Sequence, residues 1–446
     1  MTELETALAY LRHLAAQPIT DRERTAASRL LVDSIGCALG GAHDDIAVMT
    51  AKAMAQDGNG VGILGSNIRL RPADALLVHA AAIRCMDFND VFSRRNNQHP
   101  SEFVVPIVLA LAELDKWSGA KAIDATALGY RIFLAMGEMW EGLLGRGWAP
   151  SASLGRHTSA ALVAFLRGYD DTVTANAMAI GAITAPTLGV VFKGELSNAK
   201  SLVNGMSARA GWEAVDLAVA GITGPRNVFE GAGGYDAMAG GPFIAPDAAQ
   251  PMLTAADVSL KAYPTMFMTH TSIASAIEVS RKINGRLADV RKVRVRVPEK
   301  AVSMSANEPK WKVTTREAAQ FSLPLSVATA IVNGACGLGE LTPERLSAPE
   351  VRAVLAVMDV AADEKWKGYE GGRVEVDMAD GTQLAAESTA APGHPSNPMS
   401  DADVLAKFTS LASETLGADR ARAVAAEIAA LGQAPDIGRL MAAARG

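Results

Sequence analysis

Apolar residues recur through the first half of the chain at intervals of three and four, the spacing that lines one face of an α-helix. Thr20 and Glu23 have the spacing of a capping box ahead of a helix carrying Leu30, Leu31, Ile35 and Leu39, stopped by Gly40-Gly41. A second helix opens at Pro72 and runs through Leu76, Leu77, Val78, Ala82 and Ile83. Helical patterns follow over 106–117, 121–144, 155–168 and 172–186, with Gly or Ser-Gly breaks between them. A further helix beginning near Lys200 is rich in small residues (Gly205, Ala208, Gly211, Ala214), as close packing in an all-α core requires.

The period changes after the glycine-rich stretch Gly231–Gly241. Val290, Val293, Val295 and Val297, interleaved with Lys292, Arg294 and Arg296, predict a strand. A second strand is predicted over Arg373–Met378, turned by Asp380-Gly381, a favoured hairpin dipeptide. Between them Leu323–Asn333 reads as helix, so the segment from about 250 to 395 is α+β. From about 401 the pattern returns to helix, with Leu405, Phe408, Leu411, Ala412, Ala425, Ile428 and Leu431. The expected class is mainly α: a large all-helical domain with a second, smaller α+β domain.

Composition narrows the function classes. A chain of 446 residues exceeds what one core usually fills, so two domains are expected. No uninterrupted apolar run would span a bilayer, and Met1-Thr2-Glu3-Leu4-Glu5 lacks the sections of a signal peptide. Cys37, Cys85 and Cys336 have neither metal spacing nor a disulfide framework, which fits a reducing cytoplasm. A net charge of -6 without a basic stretch argues against nucleic acid as a partner. Gly60–Gly65 satisfies G-x-G-x-x-G, but no strand precedes it and no helix follows at once, so it reads as a loop before Pro72. Gly231–Gly241 lacks the lysine and serine of a phosphate loop, and the seven histidines show no paired ligand spacing, so no metal site is expected.

The densest candidate chemistry lies between Arg84 and Ser101, in the run Ile83-Arg84-Cys85-Met86-Asp87-Phe88-Asn89-Asp90 and then His99-Pro100-Ser101. Asp87 falls at or near the C-terminus of the helix begun at Pro72. The negative end of the helix dipole disfavours ionisation there and is expected to raise its pKa toward that of a useful base. A local cap or turn is the plainer alternative, since Asp and Asn favour turns.

This segment resembles the fingerprint of the MmgE/PrpD family, a cofactor-free group whose activities include 2-methylcitrate dehydration, cis-aconitate decarboxylation and iminodisuccinate epimerisation. Further matches are Asp33–Gly41, Arg146-Gly147-Trp148, Gly224-Pro225 leading to Phe229-Glu230-Gly231, Lys261-Ala262-Tyr263-Pro264, and Asn397-Pro398-Met399-Ser400 before Lys407-Phe408. Asn89 resembles the dehydratase variant of the motif. The resemblance implies that the C-terminal helices pack back on the large domain, giving 1–245 plus 401–446 as the helical domain and 246–400 as the α+β domain. It also implies a homodimer, a small carboxylate substrate and no cofactor.

By the same resemblance Asp87 and His99 are the acid–base positions, and Lys200 and Lys261 are the catalytic lysines. Arg94, Ser101, Ser151, Met266 and His270 are the substrate-binding candidates. Lys200 follows Leu196-Ser197-Asn198, a plausible helix start where a cation opposes the dipole and an anionic ligand would relieve the mismatch; a solvated first-turn lysine is the alternative. Arg94 and Arg95 are two loop arginines of a kind that more often face solvent. His270 precedes the Ile273–Ile277 helix and reads equally as a cap or a pocket residue.

The chain departs from the family pattern at several polar positions. Ala149-Pro150 stands where a catalytic histidine is common, and Val203, Met266, Leu325 and Val91 replace His, His or Cys, Tyr and Thr respectively. His157 lies later in the Ala149 segment, in a doubtful register. The expected activity is a lyase resembling 2-methylcitrate dehydratase, in which a base removes a proton next to a carboxylate and an acid protonates the departing hydroxide. Asp87 and His99 fill those roles in either order, with Lys200 and Lys261 stabilising developing negative charge. Epimerisation or decarboxylation on the same scaffold, or a ligand-binding homologue without turnover, are the alternatives.

Overall fold

The computed structural model describes residues 1–55, 60–192, 197–313 and 315–446. The helices of the first half are α1 (Glu3–Ala16), α2 (Asp21–Gly40), α3 (Asp45–Met54), α4 (Pro72–Arg84), α5 (Ser101–Leu114), α6 (Gly119–Gly137), α7 (Pro150–Leu166), α8 (Asp171–Ala182), α9 (Val203–Val219) and the short α10 (Tyr235–Ala239). Thr20 and Glu23 form the expected capping box at the start of α2. Glu23 then pairs with the fully buried Arg131 of α6 through both carboxylate oxygens, at 2.6 and 2.8 Å, which locks α2 to α6.

The small residues of α9 serve close packing. A Cβ at Gly205 would lie 2.9 Å from the Ala80 side chain of α4, and one at Gly211 would lie 2.6 Å from the Arg156 carbonyl of α7. α9 therefore approaches both helices at backbone distance.

The smaller part holds α11 (His270–Ile283), α12 (Glu299–Ser305), α13 (Arg316–Ala319), α14 (Leu323–Asn333), α15 (Pro343–Leu346) and α16 (Pro349–Ala356). Two-residue ribbons β1–β2 (Val61–Gly62, Arg69–Leu70) and β3–β4 (Phe92–Ser93, Asn97–Gln98) precede its main sheet in the chain. That sheet contains β5 (Val290–Val297), β6 (Met358–Ala362), β7 (Gly372–Met378) and β8 (Gln383–Ser388), in the order β6-β5-β7-β8. β5 pairs parallel with β6 and antiparallel with β7, setting Val293 opposite Val376 and Val295 opposite Val374. These valines are fully buried beneath α11, which α14 packs against in turn, while the alternate arginines point away, as strand alternation dictates.

The chain ends in α17 (Asp401–Leu416), α18 (Ala418–Ala429) and α19 (Gly438–Ala443), and α17 packs along α2. One continuous group of buried apolar side chains extends from Leu4 to Leu260 and takes in Val404 to Ala444; a second extends from Met268 to Ala386. The mainly α class with a smaller α+β part is thus the observed one.

Several boundaries moved. The helix expected from 106 starts at Ser101, because the Asp90 carboxylate accepts the Ser101 N–H and carries the helix through Pro106. The helix expected to reach 144 ends at Gly137, and the one expected from 155 begins at Pro150. β6 was not legible, being a short edge strand without strict alternation. Gly60–Gly65 forms part of the β1–β2 ribbon, and Leu196 lies outside the described residues.

Candidate active site

α4 ends with Cys85 as its C-cap, and Asp87 follows with φ 50°, a left-handed conformation uncommon for a residue with a side chain. Its N–H donates to the Arg84 carbonyl at 2.9 Å. The turn aims its carboxylate into three cations. Oδ1 is 2.5 Å from Arg84 Nη1, 3.1 Å from Lys261 Nζ and 3.7 Å from Lys200 Nζ. Lys261 Nζ also donates to the Asp87 backbone carbonyl at 2.9 Å. Oδ2 is buried without a hydrogen-bond partner among the described residues.

The expectation of a raised Asp87 pKa is overturned. Burial does push it up, but Lys200, Lys261 and Arg84 together hold it well below the usual carboxylate range. The helix dipole is a minor influence beside three adjacent cations. Asp87 is thus an ionised clamp for the two lysines and the arginine, and a poor proton acceptor.

His99 has the opposite character. Its Nδ1 lies 2.7 Å from the Asp90 carbonyl, which can only accept, so Nδ1 carries the proton and Nε2 keeps its lone pair. Burial, with Arg84 and Lys261 nearby, depresses its pKa well below the ordinary imidazole value. The ring is held neutral. Its backbone N–H donates to Ser151 Oγ at 3.2 Å, so Ser151, in the first turn of α7, positions His99.

Lys200 sits on a tight turn, Asn198–Ser201, just before α9. Its ammonium lies 4.3 Å above the ring of Phe321, from the smaller part of the chain. Burial lowers its pKa to about 7 against the attraction of Asp87. Lys261 is lowered too, again by burial against Asp87.

A second layer fixes this group. Glu102 lies 3.5 Å from Arg84 Nε and accepts from Asn89 at 3.0 Å and Asn204 at 2.8 Å. Burial raises Glu102 to about 7 even with Arg84 beside it. Asp90, lifted by burial to about 6, accepts from Ser101 Oγ at 2.5 Å and Tyr130 OH at 2.7 Å. Lys407 of α17 pairs with Asp33 of α2 at 2.6 Å and donates to the carbonyls of Phe88 (2.7 Å) and Lys261 (2.9 Å).

Asp87, Lys200 and Lys261 are therefore in direct contact, with His99 beside them and none of the four more than 7% exposed. The group is enclosed. An open cleft of about 1200 Å³ lies alongside, lined by Met86, Phe88, Arg316 and Lys407 among others. Its two cations are already paired, Arg316 with Asp44 and Lys407 with Asp33.

The other candidates make no hydrogen bond or ion pair with Asp87, Lys200 or Lys261 among the described residues, although His270 lies close enough for the charges of Lys261 and Asp87 to act on it. Arg94 is exposed on the β3–β4 ribbon and, with Arg95, faces Glu138 at 3.8 and 3.5 Å. Ser101 is committed to Asp90 and Asn89, which makes it a structural link. Met266 is half-buried against the smaller core, its N–H donating to the Gln320 carbonyl at 2.8 Å. His270 is the first residue of α11 and not its cap. It is buried between Tyr263 and Phe267, its Nε2 3.3 Å from the Thr265 carbonyl and its Nδ1 without a partner among the described residues. Among the described residues no group of three or more His, Cys, Asp or Glu side chains could hold a metal ion.

Asp87, His99, Lys200 and Lys261 thus converge on one enclosed group. The MmgE/PrpD N-terminal domain matches residues 6–246, and the MmgE/PrpD C-terminal domain matches 263–433. The chain belongs to the MmgE/PrpD family. It is similar to cis-aconitate decarboxylase of Homo sapiens, 25% identical and covering 90% of this chain and 86% of the relative. It is also similar to the Mus musculus enzyme of that name (23%, with 91% and 86% covered) and to that of Aspergillus terreus (24%, with 96% and 93% covered).

Within this family member the departures from pattern have distinct fates. Ala149 and Val203 come together with Ala152 in a small apolar group, whereas Leu325 is buried in the smaller core and Val91 packs with Phe267 and Ala391. His157 does not stand in for a missing histidine. It is sealed in a box of Trp140, Phe229 and Tyr235, both ring nitrogens lack partners among the described residues, and burial drives its pKa to about 3. Arg84 and Glu102 escaped sequence reasoning. Their signal was an arginine closing an otherwise apolar helix and a glutamate opening another.

Proposed function

We propose that this protein is a lyase acting on a small carboxylic acid, with His99 as the proton acceptor and Lys200 and Lys261 as the carboxylate-binding pair. The observation that carries the reading is the tautomer of His99: a neutral imidazole with a free Nε2 in a group of three buried cations. In an elimination, Nε2 takes a proton from the carbon next to the bound carboxylate. The released pair forms the carbon–carbon double bond, and hydroxide leaves as water with a proton from the Lys200 ammonium. Exchange with solvent then restores both groups. Lys261 and Arg84 stabilise the enolate-like charge that develops on the carboxylate. Asp87 keeps all three cations aimed at one point.

Dehydration of a 2-methylcitrate-like acid is the finer form of this proposal. Asn89 carries little weight for it, since its amide is committed to Ser101 and Glu102. The decarboxylases among the relatives favour a second form, in which the lost group is carbon dioxide and the same cations hold the remaining carboxylate. The three buried free cysteines are compatible with a cytoplasmic enzyme, and no described helix is long and apolar enough to cross a membrane.

NMR of di- and tricarboxylates in deuterated water tests the reading. A new alkene signal with loss of a hydroxyl carbon identifies dehydration, and loss of a carboxyl carbon identifies decarboxylation. The absence of both product and deuterium incorporation across the panel would refute a lyase.

A further inference from the structure

A small apolar group lies between the serine that positions His99 and the turn that carries Lys200, outside both large cores. Ala149, Ala152 and Val203 are each at least nine-tenths buried, and the half-buried Val191 and Phe192 pack against them. Ala149 and Ala152 flank Ser151, whose hydroxyl accepts the His99 N–H at 3.2 Å. Val203 opens α9 three residues after Lys200. The Ala149 N–H is taken up by the Thr187 carbonyl at 2.8 Å, so the backbone at that position offers no donor either. The five side chains present only hydrocarbon, so a ligand carboxylate placed there would lose its water without gaining a partner.

The charge inventory agrees. Arg84 is held between Asp87 and Glu102, at 2.5 and 3.5 Å, which leaves Lys200 and Lys261, 3.7 and 3.1 Å from Asp87, as the cations that can turn to a ligand. The nearest further arginines by sequence, Arg94 and Arg95, are turned to Glu138. Two lysines can each meet one ligand carboxylate. A third carboxylate would be buried without compensation.

We infer that the wall of Ala149, Ala152 and Val203 sets specificity: the substrate is a small acid with at most two carboxylates and a short alkyl branch that packs on this wall. The inference takes the lyase reading for its chemistry, but its binding preference stands separately.

Calorimetry with three probes, 2-ethylmalate, malate and citrate, tests it on the full chain. The expected result is that 2-ethylmalate binds at least tenfold more tightly than malate or citrate, in line with the roughly 10–200-fold a methylene group earns in an apolar pocket. Val203→Asn should remove most of that advantage while leaving malate affinity within about twofold, which ties the effect to the wall. Val203→Ala, a milder change, should give a smaller loss of the same kind and guards against a folding defect. Citrate binding as tightly as 2-ethylmalate, no binding by any probe, or equal weakening of malate and 2-ethylmalate in both variants would overturn the inference. Turnover assays on the same probes separate the two readings. The predicted ranking without turnover would sink the lyase and keep the wall; turnover with citrate preferred would do the reverse.

Discussion

At the scale of single residues, two charge states decide what this site can do. Lys200 is held near pH 7 by burial, so its ammonium is present below that value and lost above it. If the ammonium binds carboxylate and supplies a proton, kcat/KM should fall about tenfold per unit as pH rises beyond roughly 7. A bound carboxylate favours the charged form, so the corresponding limb of kcat should lie at higher pH. Lys200→Arg should move the kcat/KM limb out of the accessible range; a profile unchanged by that substitution would remove Lys200 from the mechanism. His157 makes the contrasting case. Its buried ring nitrogens lack partners, a condition that costs on the order of 1–3 kcal/mol per group. His157→Phe should keep turnover within about threefold and lose no stability in urea, and a hundredfold loss of rate would show it to be catalytic.

At the scale of elements, the site is assembled where α4, α9, α17 and the Lys261 segment meet, and Lys407 ties three of these together. Replacing Lys407 by Met strands the fully buried Asp33, which costs on the order of 3–5 kcal/mol. Replacing both residues, Asp33→Asn with Lys407→Met, should recover much of the loss in chemical denaturation; an additive double mutant would mean that the pair does not hold α17 to α2. The helices and the β5 and β7 strands were legible because their apolar periods are long and regular. β6 was not, because a pairing partner distant in the chain defines it, and the two ribbons were not, because strands of two residues are too short to show an alternation. The site was legible only as motifs. Asp87 and His99 stood out by their surroundings, but the sign of the Asp87 shift required Lys200 and Lys261, more than a hundred residues away, to be brought within 4 Å. Arg94, a loop arginine of a kind that more often faces solvent, is removed by its exposure and its approach to Glu138.

At the scale of the whole molecule, the buried charged group is closed to solvent while an open cleft runs beside it. Arg316 of α13 pairs with Asp44 at 2.7 Å, and Gln320 donates to the Met86 carbonyl at 2.6 Å, so the smaller part is fastened over the turn that bears Asp87. We also propose that the helical part pairs with a second copy of the chain. Ile183, Leu188, Val190 and Ile222 are each more than half exposed and lie near the ends of the packed helices α8 and α9. Solution scattering should give a dimer that Leu188→Glu with Val190→Glu dissociates, and a monomer at every concentration would refute the pairing. The central claim, that His99 and not Asp87 moves the proton, is tested most directly by deuterium incorporation into a turned-over substrate or inhibitor acid. His99→Gln should abolish exchange, a loss of at least a hundredfold, while leaving carboxylate binding within about threefold. Asp87→Asn should weaken binding and leave measurable exchange. Full exchange in His99→Gln, with none in Asp87→Asn at saturating acid, would contradict the account.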